Sequence, residues 1–210
     1  MERIDTLKAK LEELTINEPY PQILIEPEIV AYAMYVTKKV VSRTIQKENI
    51  NTRTLGVLGQ ELFNGCLLQY KIPNVYANPI YKDKTMRQIN KKHFDFIVPH
   101  MPKEKQIISI KTISEGEKDK CFVATIEEWE NEIHDIAIAI KIDSLTQHKA
   151  HMAGWLFAKE IEKLPTHDFG WGMAYYTYLD VAEAQECEIP PMHNIIPLME
   201  QLLKGSYTPI

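Results

Sequence analysis

Two short apolar segments of the chain, residues 93–98 and 106–113, each contain one charged side chain. Asp95 is flanked by phenylalanines in the first segment, and Lys111 follows an isoleucine in the second. Segments of this length and composition are typical of buried β-strands, and a charged group in such surroundings is rarely left unpaired. Their short connection favours an antiparallel pair. We therefore expect Asp95 to lie beside the segment that begins at Ser109.

The elements around this pair predict a layered α/β domain. Residues 55–70 have apolar positions four apart, as in a helix, and Glu61 lies at the edge of that apolar stripe. Thr125 begins a capping-box pattern, which predicts the start of another helix. The isoleucine-rich segment 134–143 alternates like a strand. A strand, a helix and a strand in this order indicate a right-handed crossover to a parallel strand, so we expect a central mixed β-sheet flanked by helices.

The outer parts of the chain predict further helices and one more strand. Residues 49–53 are polar and predict a turn, and residues 147–163 are compatible with either a helix or a short strand that leads into a helix. MAYYTYLD, residues 173–180, predicts a strand. The remaining helices are expected at residues 2–14, from Pro27 to about residue 45, and at 192–205 with an interruption at Pro197.

Glu61 on a helix, Asp95 at a strand and Lys111 on the paired strand form a pattern that resembles the PD-(D/E)XK nuclease superfamily. Ser109 stands where the family motif has a second acid. The resemblance covers roughly residues 54–113 and implies the restriction-endonuclease-like fold. It implies one nuclease-like domain over residues 1–210, with an N-terminal helical part (1–53), a catalytic core (54–143) and a C-terminal part (144–210).

The resemblance also implies an activity, the hydrolysis of DNA phosphodiester bonds by an endonuclease of the type II restriction class that uses Mg²⁺ or Mn²⁺. In this interpretation Asp95 is the principal metal ligand, Glu61 is a second ligand, either directly or through water, and the backbone carbonyl of Ile110 completes the protein's share. Lys111 orients or activates the attacking water and offsets charge on the phosphate. Ser109 offers only a hydroxyl, a poorer ligand than a carboxylate.

The densest basic stretch of the chain lies in a predicted loop just before the Asp95 strand. Two interpretations stay open for it, a solvated loop and a surface that contacts nucleic acid phosphates. The second would bring an anionic polymer to an acidic site. The residues concerned are Lys82, Lys84, Arg87, Lys91 and Lys92.

Composition limits the classes of protein to which the chain can belong. The 210 residues carry a net charge of −5, which argues against a surface covered with basic patches but does not exclude a local basic footprint for nucleic acid. We expect no membrane span and no signal peptide. The scattered thiols of Cys66, Cys121 and Cys187 indicate a reducing compartment, hence the cytoplasm. The expected partner is double-stranded DNA, and a homodimer follows only by analogy with restriction enzymes.

Two rival functions remain. Ser109 favours a degenerate, non-catalytic nuclease fold that binds DNA or a partner protein. Alternatively, Asp95 and Lys111 form a structural ion pair in an unrelated α/β interaction or assembly protein. His148 and His151 have the spacing of a metal-binding pair but lack a third ligand nearby. Aromatic side chains that can stack on bases or pack in a core are Trp171, Tyr175, Tyr176 and Tyr178.

Overall fold

The computed structural model of the protein describes residues 22–41, 50–77, 94–113, 121–131, 133–144, 149–170 and 172–204. Its strands are Gln22–Leu24 (β1), Val75–Tyr76 (β2), Phe96–Ile97 (β3), Ile107–Ile113 (β4), Cys121–Thr125 (β5), Ile136–Ser144 (β6), Lys149–Phe157 (β7), Thr166–Asp168 (β8) and Met173–Tyr178 (β9). Its helices are Pro27–Val41 (α1), Ile50–Gln69 (α2), Ile126–Asn131 (α3), Ala158–Ile161 (α4), Val181–Glu186 (α5) and Ile195–Lys204 (α6), and Lys103–Lys105 form a 3₁₀ turn.

The strands form two sheets, so the expected mixed α/β architecture is confirmed. The larger sheet has six strands in the order β1-β7-β6-β4-β3-β2, and the smaller has the order β5-β9-β8. β3 and β4 are antiparallel and β4 and β6 are parallel, both as predicted. No helix in the described ranges combines the length and apolar character that crossing a membrane requires.

Strand β4 separates two hydrophobic clusters because successive side chains of a strand point to opposite faces. Ile108 and Ile110 belong to the cluster that includes Leu58 and Leu62 of α2. Ile113 belongs to a second cluster that includes residues of α3 and the smaller sheet. The six-stranded sheet therefore has long helices on one face and the smaller sheet with α3 on the other.

Several predicted boundaries change. Helix α1 begins at Pro27 as expected, but the turn predicted at 49–53 is wrong because α2 is already helical from Ile50. This polar segment contains no proline or glycine, and extending an existing helix costs less than nucleating one. The interruption predicted at Pro197 is also wrong. Pro197 lies in the first turn of α6, where the missing N–H has no intrahelical partner to lose.

The C-terminal third of the described chain contains more strand than the sequence indicates. The undecided segment 147–163 forms β7 followed by the short helix α4, because β6 supplies an antiparallel partner for β7. The strand predicted at MAYYTYLD is confirmed as β9, while its partner β5 was not predicted. The helix expected at 2–14 lies outside the described residues.

Candidate active site

Asp95 lies immediately before β3 and is 2% exposed. One of its carboxylate oxygens accepts the backbone N–H of Ile110 at 2.8 Å, and the other accepts the side-chain amide of Gln60 at 2.8 Å. The β3–β4 ladder stops at the pair Phe96–Ile108. The next N–H of β4 that points towards β3 is that of Ile110. The Asp95 carboxylate accepts it in place of a backbone carbonyl of β3. The observed strand, Phe96–Ile97, lies within the predicted segment 93–98, of which residue 93 is outside the described residues.

The same hydrogen bond locates the backbone carbonyl that the sequence predicts as a ligand. In a β-ladder, a residue directs its N–H and its C=O to the same neighbouring strand. The N–H of Ile110 points to the β3 side, since Asp95 accepts it there. The carbonyl of Ile110 is therefore directed to the same edge of β4, beyond the end of β3.

Glu61 is on α2, one residue after Gln60, and is half-buried. Its carboxylate accepts the Tyr76 hydroxyl at 2.7 Å. Burial raises the pKa of Glu61, and hydrogen bonds from Tyr76 and Asn64 partly oppose this. Burial raises the pKa of Tyr76 as well, and the hydrogen bond to Glu61 adds to the rise, so Tyr76 stays a neutral donor. The Tyr76 ring stacks on Phe96 with centroids 4.6 Å apart, next to Asp95 along the chain.

Helix α2 crosses β4 at Gly59. A methyl group at Gly59 would overlap the hydroxyl of Thr112, so the helix can approach the strand this closely only with glycine at the crossing point. The next two residues of the helix are Gln60 and Glu61. Gly59 therefore sets the distance at which these two side chains are held from the strand.

Lys111 and Ser109 point to the other face of β4, the face of Ile113 and the second cluster. The Lys111 ammonium lies 5.6 Å from the centre of the Trp129 ring, within cation–π range. Ser109 is 1% exposed. Glu61 and Lys111 therefore flank the edge of β4 from opposite faces, which differs from the expectation that Glu61 directly faces the lysine.

The side chains and backbone at this edge offer oxygen ligands, which are the ligands of hard cations. Besides the carboxylates of Asp95 and Glu61 and the carbonyl of Ile110, the Gln60 amide oxygen is buried with no hydrogen-bond partner among the described residues. An orphaned buried acceptor next to a carboxylate suits a bound cation, so the residues fit Mg²⁺ or Mn²⁺. The described part of the chain contains no group of three His, Cys, Asp or Glu side chains that could hold a metal. Such a site would therefore depend on neutral oxygens.

Other candidate residues are only partly visible. Lys82, Lys84, Arg87, Lys91 and Lys92 all lie outside the described residues, as do His148 and Trp171. His151 is 8% exposed on β7. The tyrosines of β9 pack as partly buried residues against the second cluster, as the packing interpretation expects; they are Tyr175, Tyr176 and Tyr178.

Sequence reasoning missed four residues that shape this site. Gln60, Gly59, Tyr76 and Trp129 act through contacts with residues far away in the chain. Only Gln60 had a usable signal, its position next to the predicted ligand Glu61.

Comparison with known proteins does not extend the family resemblance. No family model, no curated protein and no solved structure matches the chain. The resemblance depends on Glu61, Asp95 and Lys111 and on the order of the elements that carry them.

Proposed function

We propose that this protein is a metal-dependent endonuclease that hydrolyses DNA phosphodiester bonds, with a restriction-endonuclease-like catalytic domain. The observation that carries the proposal is the anchoring of the Asp95 carboxylate to the backbone of β4 between Ser109 and Lys111. A buried carboxylate held by two hydrogen bonds, at the point where a neighbouring strand ends, is preorganised as a metal ligand.

The order of the elements supports the same proposal. Helix α2 with Glu61 comes first, then the strand that follows Asp95, then the antiparallel strand with Lys111. This is the order of the family pattern. A helix and a parallel strand, α3 and β6, complete the sheet beside β4.

In the proposed enzyme, Asp95, Glu61, the Ile110 carbonyl and the Gln60 amide oxygen would hold Mg²⁺ or Mn²⁺, which supplies a Lewis acid for a phosphate oxygen. Gln60 and the Ile110 N–H hold the Asp95 carboxylate in one orientation. Lys111 orients the attacking water and offsets negative charge that develops on the phosphate.

A second candidate function is the binding of DNA or a partner protein without cleavage. It is favoured by Ser109, which is buried where the family motif has an acid. With a serine at this position the site has two carboxylates instead of three. Because a site with fewer anionic ligands binds divalent cations more weakly, catalysis could be lost while the fold is kept.

Cleavage of supercoiled plasmid DNA with Mg²⁺ or Mn²⁺ tests these alternatives. We expect weak cleavage by the wild type, loss of cleavage but not of folding in Lys111→Met, and faster cleavage in Ser109→Glu. Lys159→Met is a matched control, because the Lys159 ammonium also lies over an aromatic ring, 5.1 Å from the centre of Phe157. If neither the wild type nor Ser109→Glu cuts DNA or RNA with either metal, the non-catalytic function replaces the enzyme.

A further inference from the structure

A cavity of about 560 Å³ lies between α3 and the smaller sheet. Its volume is in the range of roughly 300–1,000 Å³ that is usual for small-molecule sites. Aromatic side chains of Trp129, His134 and Tyr175 line it, together with the carboxylates of Glu130 and Glu162. Neither proposed function accounts for this cavity.

Trp129 connects the cavity to the candidate active site. Its indole ring lines the cavity, and the same ring has the Lys111 ammonium 5.6 Å from its centre. A phosphate that reaches Lys111 is therefore close to the indole that lines the cavity. A nucleotide with its base in the cavity would extend past this indole to bring its phosphate to the lysine.

The lining of the cavity favours a flat group that carries an amine over a phosphate. Glu130 and Glu162 repel a phosphate, and the lining contains no lysine or arginine among the described residues. A nucleobase has a flat aromatic face that can stack on Tyr175, and adenine, cytosine and guanine also have an exocyclic amine for the carboxylates.

We propose that this cavity binds one unpaired nucleobase of the nucleic acid substrate, with a preference for bases that carry an exocyclic amine. The proposal rests on the proposed nuclease function for its link to Lys111. The base stacks on the Tyr175 side of the cavity, Glu130 and Glu162 accept its amine protons, and its phosphate lies at Lys111. Binding of a single base in this way requires an unpaired or extruded nucleotide.

Calorimetric titrations with deoxynucleoside 5′-monophosphates and with 2-deoxyribose 5-phosphate test the pocket. Aromatic stacking of one base is expected to make dAMP, dCMP and dGMP bind roughly 5- to 150-fold more tightly than the base-free sugar phosphate. We expect the smallest gain for dTMP, since thymine has no exocyclic amine. Tyr175→Ala should remove the gain. Tyr176→Ala is the matched control on the same strand, because Tyr176 packs on His167 and Phe169 instead.

Two further variants keep the test decisive. Glu162→Gln changes an exposed residue and should reduce the preference for dCMP over dTMP, because it removes one of the two carboxylates, even if Tyr175→Ala fails to fold. Lys111→Met should weaken the binding of nucleotides and of the sugar phosphate by the same factor, because it removes only the phosphate contact.

The outcomes separate this pocket from the nuclease. Equal binding of nucleotides and 2-deoxyribose 5-phosphate by the wild type overturns the pocket, whether or not the protein cuts DNA. A gain that Tyr175→Ala removes, in a protein that cuts no nucleic acid, supports the pocket and overturns the endonuclease. A gain that survives Tyr175→Ala, together with a preference for dCMP over dTMP that survives Glu162→Gln, places the base elsewhere and overturns the proposal.

Discussion

Replacing Asp95 by asparagine separates the structural role of this residue from its proposed metal-binding role. The Asp95 carboxylate accepts two hydrogen bonds of 2.8 Å, from the Ile110 N–H and from the Gln60 amide. An asparagine side chain has one acceptor oxygen and one NH₂ group, so one of these two donors would face another donor. A buried donor left without a partner costs about 1–3 kcal/mol of folding free energy. We expect Asp95→Asn to lose this amount without any metal.

The metal contributes a second, separate amount. A ligand that binds only the folded state stabilises it by about 2.7 kcal/mol when its concentration is 100 times the dissociation constant. Wild-type protein should gain stability in this way as Mg²⁺ is added. Asp95→Asn should not, because an amide is a neutral and weaker ligand for Mg²⁺ than a carboxylate.

Urea denaturation followed by tryptophan fluorescence, in EDTA and in Mg²⁺, measures both amounts. Asp135→Asn is the matched control, because the Asp135 carboxylate also accepts an amide of β4, that of Ile107 at 2.8 Å. We expect the control to lose stability in EDTA and to keep the full Mg²⁺ effect. The metal argument fails if Mg²⁺ stabilises Asp95→Asn as much as the wild type. The hydrogen-bond argument fails if Asp95→Asn is as stable as the wild type in EDTA.

Three further changes test the surroundings of the site. Gly59→Ala should lower the free energy of unfolding by about 1–3 kcal/mol, because its methyl group overpacks the helix–strand contact. Gly56→Ala, whose methyl group meets open space, should raise it by about 0.5–1 kcal/mol. Urea denaturation measures both changes. Glu61→Gln should be more stable than the wild type at neutral pH, because burial raises the pKa of Glu61 and the charged form is the disfavoured one. This gain should disappear below pH 4.5, the ordinary pKa, where the acid is protonated in both folded and unfolded chains. Denaturation at several pH values measures it, and a difference in unfolding free energy that stays constant with pH would contradict the prediction. Alanine replacement of Lys84, Arg87, Lys91 and Lys92 tests the basic loop in DNA-binding titrations. Each lost phosphate contact should reduce the slope of log K against log salt by about 0.9, and an unchanged slope would exclude phosphate contacts by this loop.

The parts of the fold that local patterns specify could be predicted from the sequence. Helix α2 follows from the four-residue spacing of its apolar side chains, and α3 from the capping pattern at Thr125. The β3–β4 pair follows from two apolar segments with a short connection. The parallel pairing of β6 with β4 follows from the order strand, helix, strand, which indicates a crossover connection. In each case the information lies within a few residues or in a general rule of chain connection.

The smaller sheet could not be predicted because its pairing is non-local. Strand β5 pairs with β9, and Cys121 lies opposite Tyr178. Five residues next to a charged segment carry too little periodic signal to indicate a strand without that partner. Strand β7 was ambiguous for a similar reason, since its composition fits a helix and only pairing with β6 decides the matter.

The sequence predicts which residues of β3 and β4 lie next to each other, but not which face of the sheet α2 covers. The antiparallel pair brings Asp95 to Ile110, and the alternation of side chains puts Ser109 and Lys111 on a common face. The sequence does not tell which face α2 covers. Gly59 makes that choice, because it lets the helix pack on the Thr112 face of β4. Glu61 therefore reaches the edge of the strand from the face opposite Lys111.

This division of the two faces gives Ser109 its significance. The oxygen ligands gather where α2 meets the end of β3, whereas Lys111 and the cavity beside Trp129 lie on the other face. An acid at position 109 would have placed a negative charge next to the lysine, in a buried position, at a cost in desolvation. In the proposed enzyme, serine at this position avoids that cost, and the Lys111 ammonium interacts with the phosphate. The same loss would leave a bound metal with two protein carboxylates, and a phosphate oxygen of the substrate would supply a further anionic ligand. In the proposed enzyme, metal binding and DNA binding therefore strengthen each other.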